Sequence, residues 1–428
     1  MPKLKRAMSS TEKDIRKLTE RLEELPVVKK HKKRAGRRFK LDGPQLADML
    51  VDCVGEDKLS RTEKGNIRVD EDVLSKLDHP LARGILEVRS LNKCLNTYLK
   101  NLQREQVNGI VRPFYNLNLV ITYRSSSDSP NFQNMPIRDP VQGKLIRSVI
   151  IPREGHQIGE IDLKGAEVNI AYCYHKDPRM KNYLTDPATD MHRDQAMECF
   201  LIRKPEHVSK KTRYVGKNGF VFPAFYGSYW AQIAPNMWNM MDEHHLMLTD
   251  RLSVREHLFK KGIEELGYVM ENGKPSPGSF MHHISKVEHR FWNERFKVYK
   301  KWKEDWYEAY LRKGYFDTLT GFRCSGEMKR NEVVNYPVQG SAFHCLLWVL
   351  IQTNRWLKKN KMRSRIIGQV HDSIIVDFYP PEVQEVLAKV RDLLENKIRE
   401  VWPWIIIRLT ADFELAPIDG SWAEKQPV

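Results

Sequence analysis

The chain has 428 residues, and its 71 lysine and arginine residues outnumber its 55 aspartate and glutamate residues, so the formal charge is +16. Its 41% of hydrophobic residues are enough for a sizeable core and argue against a mostly disordered chain. No apolar run approaches the roughly 20 residues that a bilayer span needs. Six scattered cysteines without a CxxC pair exclude a zinc ribbon and argue against a disulfide framework. These exclusions leave a basic, multidomain, intracellular protein. Its positive charge indicates a polyanionic partner, and nucleic acid is the first candidate for that partner.

The first 38 residues predict a helix followed by a basic linker. Ser9–Glu12 resembles a capping box, and the apolar face that follows it ends at Pro26. Lys29–Lys40 (KKHKKRAGRRFK) then places eight cationic residues among twelve, which is typical of a solvated linker or of an arm that contacts phosphates. The helix could dock a partner chain, but packing on the chain's own body is the favoured interpretation.

From residue 39 to about 98, and again from about 176 to 330, the patterns are helical. Ser60–Arg68 is polar and contains glycine, which predicts an exposed tip between helices. Runs typical of β-strands flank the second helical region, at 156–163, 365–367, 370–378 and 405–409, with a turn at 368–372. This order predicts an α+β core with two helical insertions.

Two aspartates lie at the ends of predicted β-runs. Asp162 ends a strand, and Asp372 lies in a turn 210 positions later. Either residue alone has an ordinary explanation, because aspartate is common at strand ends and in turns. Together at one sheet edge, without cysteine or additional histidine, they would suit a hard cation such as Mg²⁺.

Residues 210–227 combine cations and aromatic rings at helical spacing. Arg213 and Lys217 are four residues apart, as are Phe222 and Tyr226, so each pair shares a face of a helix. Such a helix would suit a nucleotide, with the triphosphate on the cations and the base on the rings. The alternative is a solvated basic helix with a buried aromatic stripe.

Five segments in order resemble the polymerase domain of family A DNA polymerases, the bacterial DNA polymerase I type and its phage relatives. The resemblance extends over about 390 residues, from near Phe39 to the end. The five segments are Arg124–Arg138, Asp162–Asn169, Arg213–Gly227, Asn335–Gly340 and Gln369–Ser373.

The resemblance implies a right-hand fold with an antiparallel β palm and a mainly helical thumb and fingers. Residues 1–38 would form the N-terminal helix and basic linker, and 39–123 the start of the palm and the thumb. Residues 124–200 would form the first part of the palm, 201–330 the fingers and 331–428 the second part of the palm.

The resemblance also implies the site residues. Asp162, Asp372 and the backbone carbonyl of Leu163 would bind two Mg²⁺ ions, which Mn²⁺ could replace. The residues that would bind the incoming nucleotide are Glu167, which would exclude a 2′-OH, and His192, Arg213, Lys217, Phe222 and Tyr226. The residues that would contact template–primer DNA are Arg124, Asn131, Gln133, Asn134, Asn335, Gln339 and His371.

This sequence departs from the family pattern in four places. Ser373 follows Asp372 where many members have glutamate. The spacing from Lys217 to Tyr226 is one residue longer than usual, so the helix needs a bulge or an altered start, and Gly216 and Gly219 would tolerate either. Asn331 stands where arginine is common, so that Arg330 would substitute from another direction. The first 38 residues are too short for a nuclease fold, so proofreading is expected to be absent, lost to truncation or supplied by another chain.

Three functions are compared. The favoured one is a template-directed DNA polymerase, a cytoplasmic monomer that binds primer–template DNA and dNTPs and works with a separate exonuclease or replication protein. A single-subunit phage-type RNA polymerase shares the His371–Ser373 turn, but Glu167 and the 131–138 segment favour DNA synthesis. A catalytically inactive relic that only binds DNA is the third, and the retained Asp162 and Asp372 argue against it.

Overall fold

The computed structural model describes residues 1–137, 139 and 142–428. Its N-terminal part is helical, and a π-helical turn at Cys94–Leu99 joins the last two helices. The helices are α1 (Pro2–Glu23), α2 (Pro26–Ala35), α3 (Gly43–Val54), α4 (Glu71–Leu74), α5 (Pro80–Lys93) and α6 (Lys100–Glu105).

The N-terminal segment is more helical than its sequence predicted. The capping box at Ser9 is wrong, because α1 begins at Pro2 and the Thr11 hydroxyl donates to the Ala7 carbonyl (2.8 Å) inside the helix. Pro26 does not end this region but starts α2, since proline fits the first helical position, where no N–H partner is needed. Most of the expected basic linker is therefore helix, anchored by the buried Val28.

The first helix packs on its own chain, as the sequence analysis favoured. Leu4 and Ala7 are buried in one core with Leu99 and Trp422, near the C-terminal end. The C-terminal end of α1 packs in a separate apolar core, where Leu22 lies with residues of α2, α3 and α5. The Ser60–Arg68 tip is a small hairpin closed by an antiparallel bridge from Arg61 to Ile67.

The next part of the chain contains the first strand of the main sheet. Gly165 begins the following helix in a left-handed conformation (φ 53°), which turns the chain sharply after that strand. The elements are β1 (Phe114–Asn116), β2 (Ser126–Asp128), α7 (Gln142–Ser148), β3 (Gln157–Leu163), α8 (Ala166–His175), α9 (Pro178–Thr185) and α10 (Met191–Cys199).

The middle of the chain is mainly helical, with two short hairpins. Met237 and Met241 are buried in the largest core, with Trp230, Trp238 and Met240 packed against it, so these residues form a core as the sequence predicted. The elements are α11 (Lys210–Val215), a π-helical turn (Gly216–Val221), α12 (Phe222–Phe225), α13 (Trp230–Glu243), β4 (Met247–Thr249), β5 (Leu252–Ser253), α14 (Val254–Phe259), α15 (Phe280–Arg290), a π-helical turn (Phe291–Arg295), α16 (Lys297–Lys313), β6 (Tyr315–Asp317) and β7 (Arg323–Ser325).

The last part returns to the main sheet, which has the strand order β11-β10-β3-β9-β8 and is antiparallel throughout. All six residues of β9 are buried, which places this strand in the centre of the core. The elements are α17 (Arg330–Lys359), β8 (Arg365–Val370), β9 (Ser373–Phe378), α18 (Val383–Asp392), a π-helical turn (Leu393–Lys397), α19 (Ile398–Val401), β10 (Ala411–Leu415) and β11 (Gln426–Pro427).

Two sequence-based strand boundaries are wrong. Val370 belongs to β8, so the turn is tighter than predicted and consists of His371 and Asp372. Ile405–Leu409 is not a strand: Ile405, Ile407 and Leu409 are buried and Ile406 is exposed, which is the alternation of a strand, but β10 begins only at Ala411. Among the described residues, no helix is both long and apolar enough to cross a membrane.

Candidate active site

The main sheet brings the two predicted carboxylates together. The β3–β9 register places Asp162 opposite Ser373, the residue after Asp372. The Leu163 N–H donates to the Asp372 carbonyl (3.1 Å), so the end of β3 is joined to the β8–β9 turn. A register between strands that are far apart in sequence thus produces the juxtaposition that the sequence predicted.

The surroundings of Asp162 favour a bound cation. Partial burial raises the pKa of Asp162, and the charges of Glu160 and Asp372 raise it further, against a hydrogen bond from Ser373. Like charges held close together destabilise one another, and a divalent cation between Asp162 and Asp372 would relieve this.

The available donors fit Mg²⁺. Among the described residues, no three or more histidine, cysteine, aspartate or glutamate side chains are grouped so that they could hold a metal ion. A site at Asp162 and Asp372 would therefore have only two protein side chains as ligands. Asp162 and Asp372 with the Leu163 carbonyl would supply oxygen alone. Few protein oxygens, completed by water and substrate phosphates, are the usual environment of Mg²⁺ in phosphoryl-transfer sites.

A cleft of about 260 Å³ beside Asp372 gathers most of the predicted nucleotide-binding residues. Within it the Tyr226 hydroxyl donates to Glu167, and the Asn335 amide donates to the Tyr226 carbonyl (3.2 Å). Burial raises the pKa of Glu167. The predicted site residues among its lining are Leu163, Glu167, Lys217, Phe222, Tyr226, Asn335, Gln339 and Asp372.

The extra residue between Lys217 and Tyr226 is absorbed by the π-helical turn Gly216–Val221. The Lys217 ammonium consequently lies 5.0 Å from the centre of the Phe222 ring, and both line the cleft. A methyl group at Gly216 would come within 2.7 Å of the His192 carbonyl, so α10 requires glycine there. Of the two alternatives that the sequence spacing left open, a bulge or an altered start, the structure has the bulge.

Arg213 and His192 lie close together near the start of this helix, where with Asp190 they line a separate cleft. Arg213 Nε donates to Asp190 (2.6 Å), and the other Asp190 oxygen accepts the His192 and Arg193 N–H groups at the start of α10. Burial, with the charges of Arg213 and Lys217, lowers the pKa of His192 to about 4. Burial and Arg213 also lower the pKa of Lys217.

Asp190 was not identified as a site residue from the sequence. The only local signal was an aspartate directly before Met191–Arg193, which is a typical helix N-cap. Its second role, holding Arg213, depends on a contact between residues 23 positions apart.

Some of the predicted DNA-contact residues lie near the two aspartates, and others lie in a surface turn. Arg124 lies between Glu167 (3.4 Å) and Asp372 (3.5 Å), and Gln133 donates to Gln369 (2.6 Å) on β8. His371 lines a second cleft beside Asp162 and Asp372. Asn131 and Asn134 instead lie exposed in a surface turn, where the Asn131 side chain accepts the Asn134 N–H (3.1 Å).

The departure from the family pattern at Asn331 also has a structural counterpart. Asn331 packs closely against Gly227, where an added methyl group would come within 2.2 Å of the amide oxygen. The Arg330 guanidinium lies 5.7 Å from the centre of the Tyr307 ring. Arg330 therefore leaves the helix in another direction, as expected from its shifted position.

A match to a family model identifies the protein family of this chain. The model described as DNA polymerase family A matches residues 7–245 and 284–417. The chain belongs to DNA polymerase family A. Family A membership confirms the resemblance inferred from the five sequence segments.

Curated relatives agree with this membership. The chain is 25% identical over 422 residues to DNA polymerase I of Chloroflexus aurantiacus, covering 94% of this chain and 39% of the relative. It is 27% identical over 390 residues to DNA polymerase I of Aquifex aeolicus, covering 90% and 58%. It is 26% identical over 373 residues to the DNA polymerase of Bacillus phage SP01, covering 82% and 36%. The chain therefore spans between about a third and three-fifths of the length of these relatives.

A solved structure has the same fold. It is the polymerase domain of Pol1 from M. smegmatis, in complex with a DNA primer-template and dNTP. At 21% identity the TM-score is 0.73, covering 99% of this chain and 67% of the other. The predicted α+β class with an antiparallel sheet and largely helical remainder is confirmed.

Proposed function

We propose that this chain is a template-directed DNA polymerase that adds dNTPs to a primer 3′-OH. The observation that carries the proposal is one cleft in which Asp372, adjoining Asp162, faces the Lys217–Tyr226 helix. Nucleotidyl transfer requires carboxylates that bind metal ions, and opposite them cationic and aromatic side chains that bind a nucleotide. The names of the family A relatives, and the DNA and dNTP bound to the Pol1 domain, support it.

Asp162 and Asp372, with the Leu163 carbonyl, would hold two Mg²⁺ or Mn²⁺ ions. Bound there, the ions supply activation of the 3′-OH and stabilisation of the charge that develops on the leaving pyrophosphate. Arg213 and Lys217 bind the triphosphate, and Phe222 stacks near the base and sugar. Neutral His192 donates to a phosphate oxygen without adding charge.

The remaining assignments concern the sugar and the DNA. Glu167, held by Tyr226, occupies the space that a ribose 2′-OH would need. The side chains that contact the minor groove of template–primer DNA are Arg124, Asn131, Gln133, Asn134, Asn335, Gln339 and His371. Residues 39–123 contribute the start of the palm and the thumb, 201–330 the fingers, and 124–200 with 331–428 the palm.

Primer extension tests this function. The wild-type chain, on a primed DNA template with Mg²⁺, is expected to extend with dNTPs and not with rNTPs. Asp372→Asn should reduce the rate at least about a hundredfold, because a metal ligand is weakened. Asp317→Asn, an exposed aspartate paired with Arg323, is the matched control and should extend normally. Extension with rNTPs alone would indicate the RNA polymerase alternative, and DNA binding without extension the inactive relic.

A further inference from the structure

Ser373, which replaces the family's common glutamate, contacts a proposed metal ligand directly. It is the first residue of β9, it is 5% exposed, and it lies opposite Asp162 in the sheet register. Its hydroxyl donates to one Asp162 oxygen, Oδ1, at 2.8 Å. A serine hydroxyl has one proton to donate, so it can orient only one carboxylate oxygen at a time.

A second carboxylate lies near enough to compete for that proton. Glu160 precedes Asp162 by two residues and therefore shares its face of β3. The Trp422 indole N–H (2.9 Å) and the Lys425 ammonium both donate to Glu160 Oε2. Lys425 also contacts Glu414 on β10. The C-terminal segment thus supplies donors to Glu160 Oε2, while the Ser373 hydroxyl donates to Asp162 Oδ1 at 2.8 Å.

We propose that Ser373 is a positioning residue, which holds the Asp162 carboxylate in one orientation before a divalent cation binds. The inference rests on the proposed function, because it takes Asp162 as a metal ligand. Groups that hydrogen-bond to metal ligands orient them, and their removal typically costs about 10- to 100-fold in metal affinity. A carboxylate already held loses less freedom when the cation arrives.

The test compares Mn²⁺ binding by the full chain, followed by electron paramagnetic resonance without DNA or nucleotide. Ser373→Ala should weaken Mn²⁺ binding about tenfold. Ser373→Thr keeps the hydroxyl and suits a strand, so it should remain within about threefold of wild type. Ser276→Ala is the matched control, since Ser276 is equally buried and its hydroxyl accepts the Tyr268 N–H in the fingers region. Asp162→Asn gives the affinity that remains without the ligand.

A second measurement distinguishes positioning from a general loss of stability. In primer extension, Ser373→Ala should raise the Mg²⁺ concentration for half-maximal rate about tenfold while the KM for dNTP changes little, and added Mg²⁺ should restore the rate. Thermal unfolding checks that each variant is folded.

Several results would overturn the inference. These are Mn²⁺ affinity of Ser373→Ala within twofold of wild type, an equal loss in Ser276→Ala, a Ser373→Thr variant as weak as Ser373→Ala, or no Mn²⁺ binding by wild type. Failure of the proposed function would differ: the wild-type chain would bind Mn²⁺ with the expected dependence on Ser373 but would not extend a primer.

Discussion

At the scale of single residues, the contact between Glu167 and Tyr226 is the most informative for substrate choice. The tyrosine hydroxyl donates to the Glu167 carboxylate, and Arg124 lies 3.4 Å from its other oxygen. A side chain that is held from two sides moves little, and it excludes an additional hydroxyl group better than a mobile side chain does. Discrimination between deoxyribose and ribose should therefore depend on Glu167.

Glu167→Ala is expected to raise the efficiency of rNTP relative to dNTP incorporation roughly 10- to 100-fold, because the space beside the sugar is opened. Tyr226→Phe removes only the donor and should raise it less. The measurement is single-nucleotide extension, comparing kcat/KM for each dNTP and its rNTP. An unchanged ratio in Glu167→Ala would mean that another residue excludes the 2′-OH.

At the scale of elements, the π-helical turn Gly216–Val221 determines how the helical segment 210–227 faces the cleft. It accommodates one residue more than the family spacing while keeping Lys217 beside Phe222. Two glycines make this possible in different ways. Gly216 abuts the α10 backbone, whereas Gly219 faces the flexible side chain of Met237. Backbone cannot yield as a methionine side chain can.

Gly216→Ala should therefore destabilise the fold by about 1–3 kcal/mol, because it forces α10 away from the helix. It should also raise the KM for dNTP, since His192 and Asp190 move with α10. Gly219→Ala is the matched control and should cost less than about 1 kcal/mol. Urea unfolding and steady-state extension measure both effects. Equal destabilisation by the two substitutions would contradict this account of the packing.

At the scale of the whole molecule, one buried histidine and two half-buried ones, in different places, should couple stability to pH. Burial lowers the pKa of His175 from its ordinary 6.5 to about 3, and those of His192 and His283 to about 4. His175 stacks on Tyr299 (4.0 Å between ring centres), and the His283 Nε2–H donates to the Glu198 carbonyl (3.0 Å). In each case the folded state holds the neutral ring.

Stability should therefore fall as the pH is lowered from about 6.5 to about 4. In this window the unfolded chain binds more protons than the folded chain, so the free energy of unfolding rises with pH, by up to about 1.4 kcal/mol per pH unit for each histidine. Urea unfolding between pH 4.5 and 7.5 measures this. His283→Gln should flatten the profile, and an unchanged slope would exclude His283 from the acid sensitivity.

Local patterns predicted the elements whose signals lie within a few residues. Strand β3 matched its predicted position almost residue by residue, because its alternation of side chains is uninterrupted. The bulge near Gly216 is one of the two alternatives that counting the spacing left open. Local patterns failed where packing decides: α2 forms despite its charge because Val28 is buried, and Ile405–Leu409 buries alternate side chains without a partner strand.

The sequence by itself determined the family, the two aspartates and the cation–aromatic helix, since each depends on residue type and spacing along the chain. The tertiary structure alone decided which side chains touch across the sheet and between helices. The Ser373–Asp162 bond joins residues 211 positions apart, and Lys425–Glu160 joins residues 265 apart. Such contacts depend on strand register and on the return of the C-terminal segment to the main sheet. A hydrogen bond needs two atoms within about 3 Å, and only the folded backbone fixes that distance.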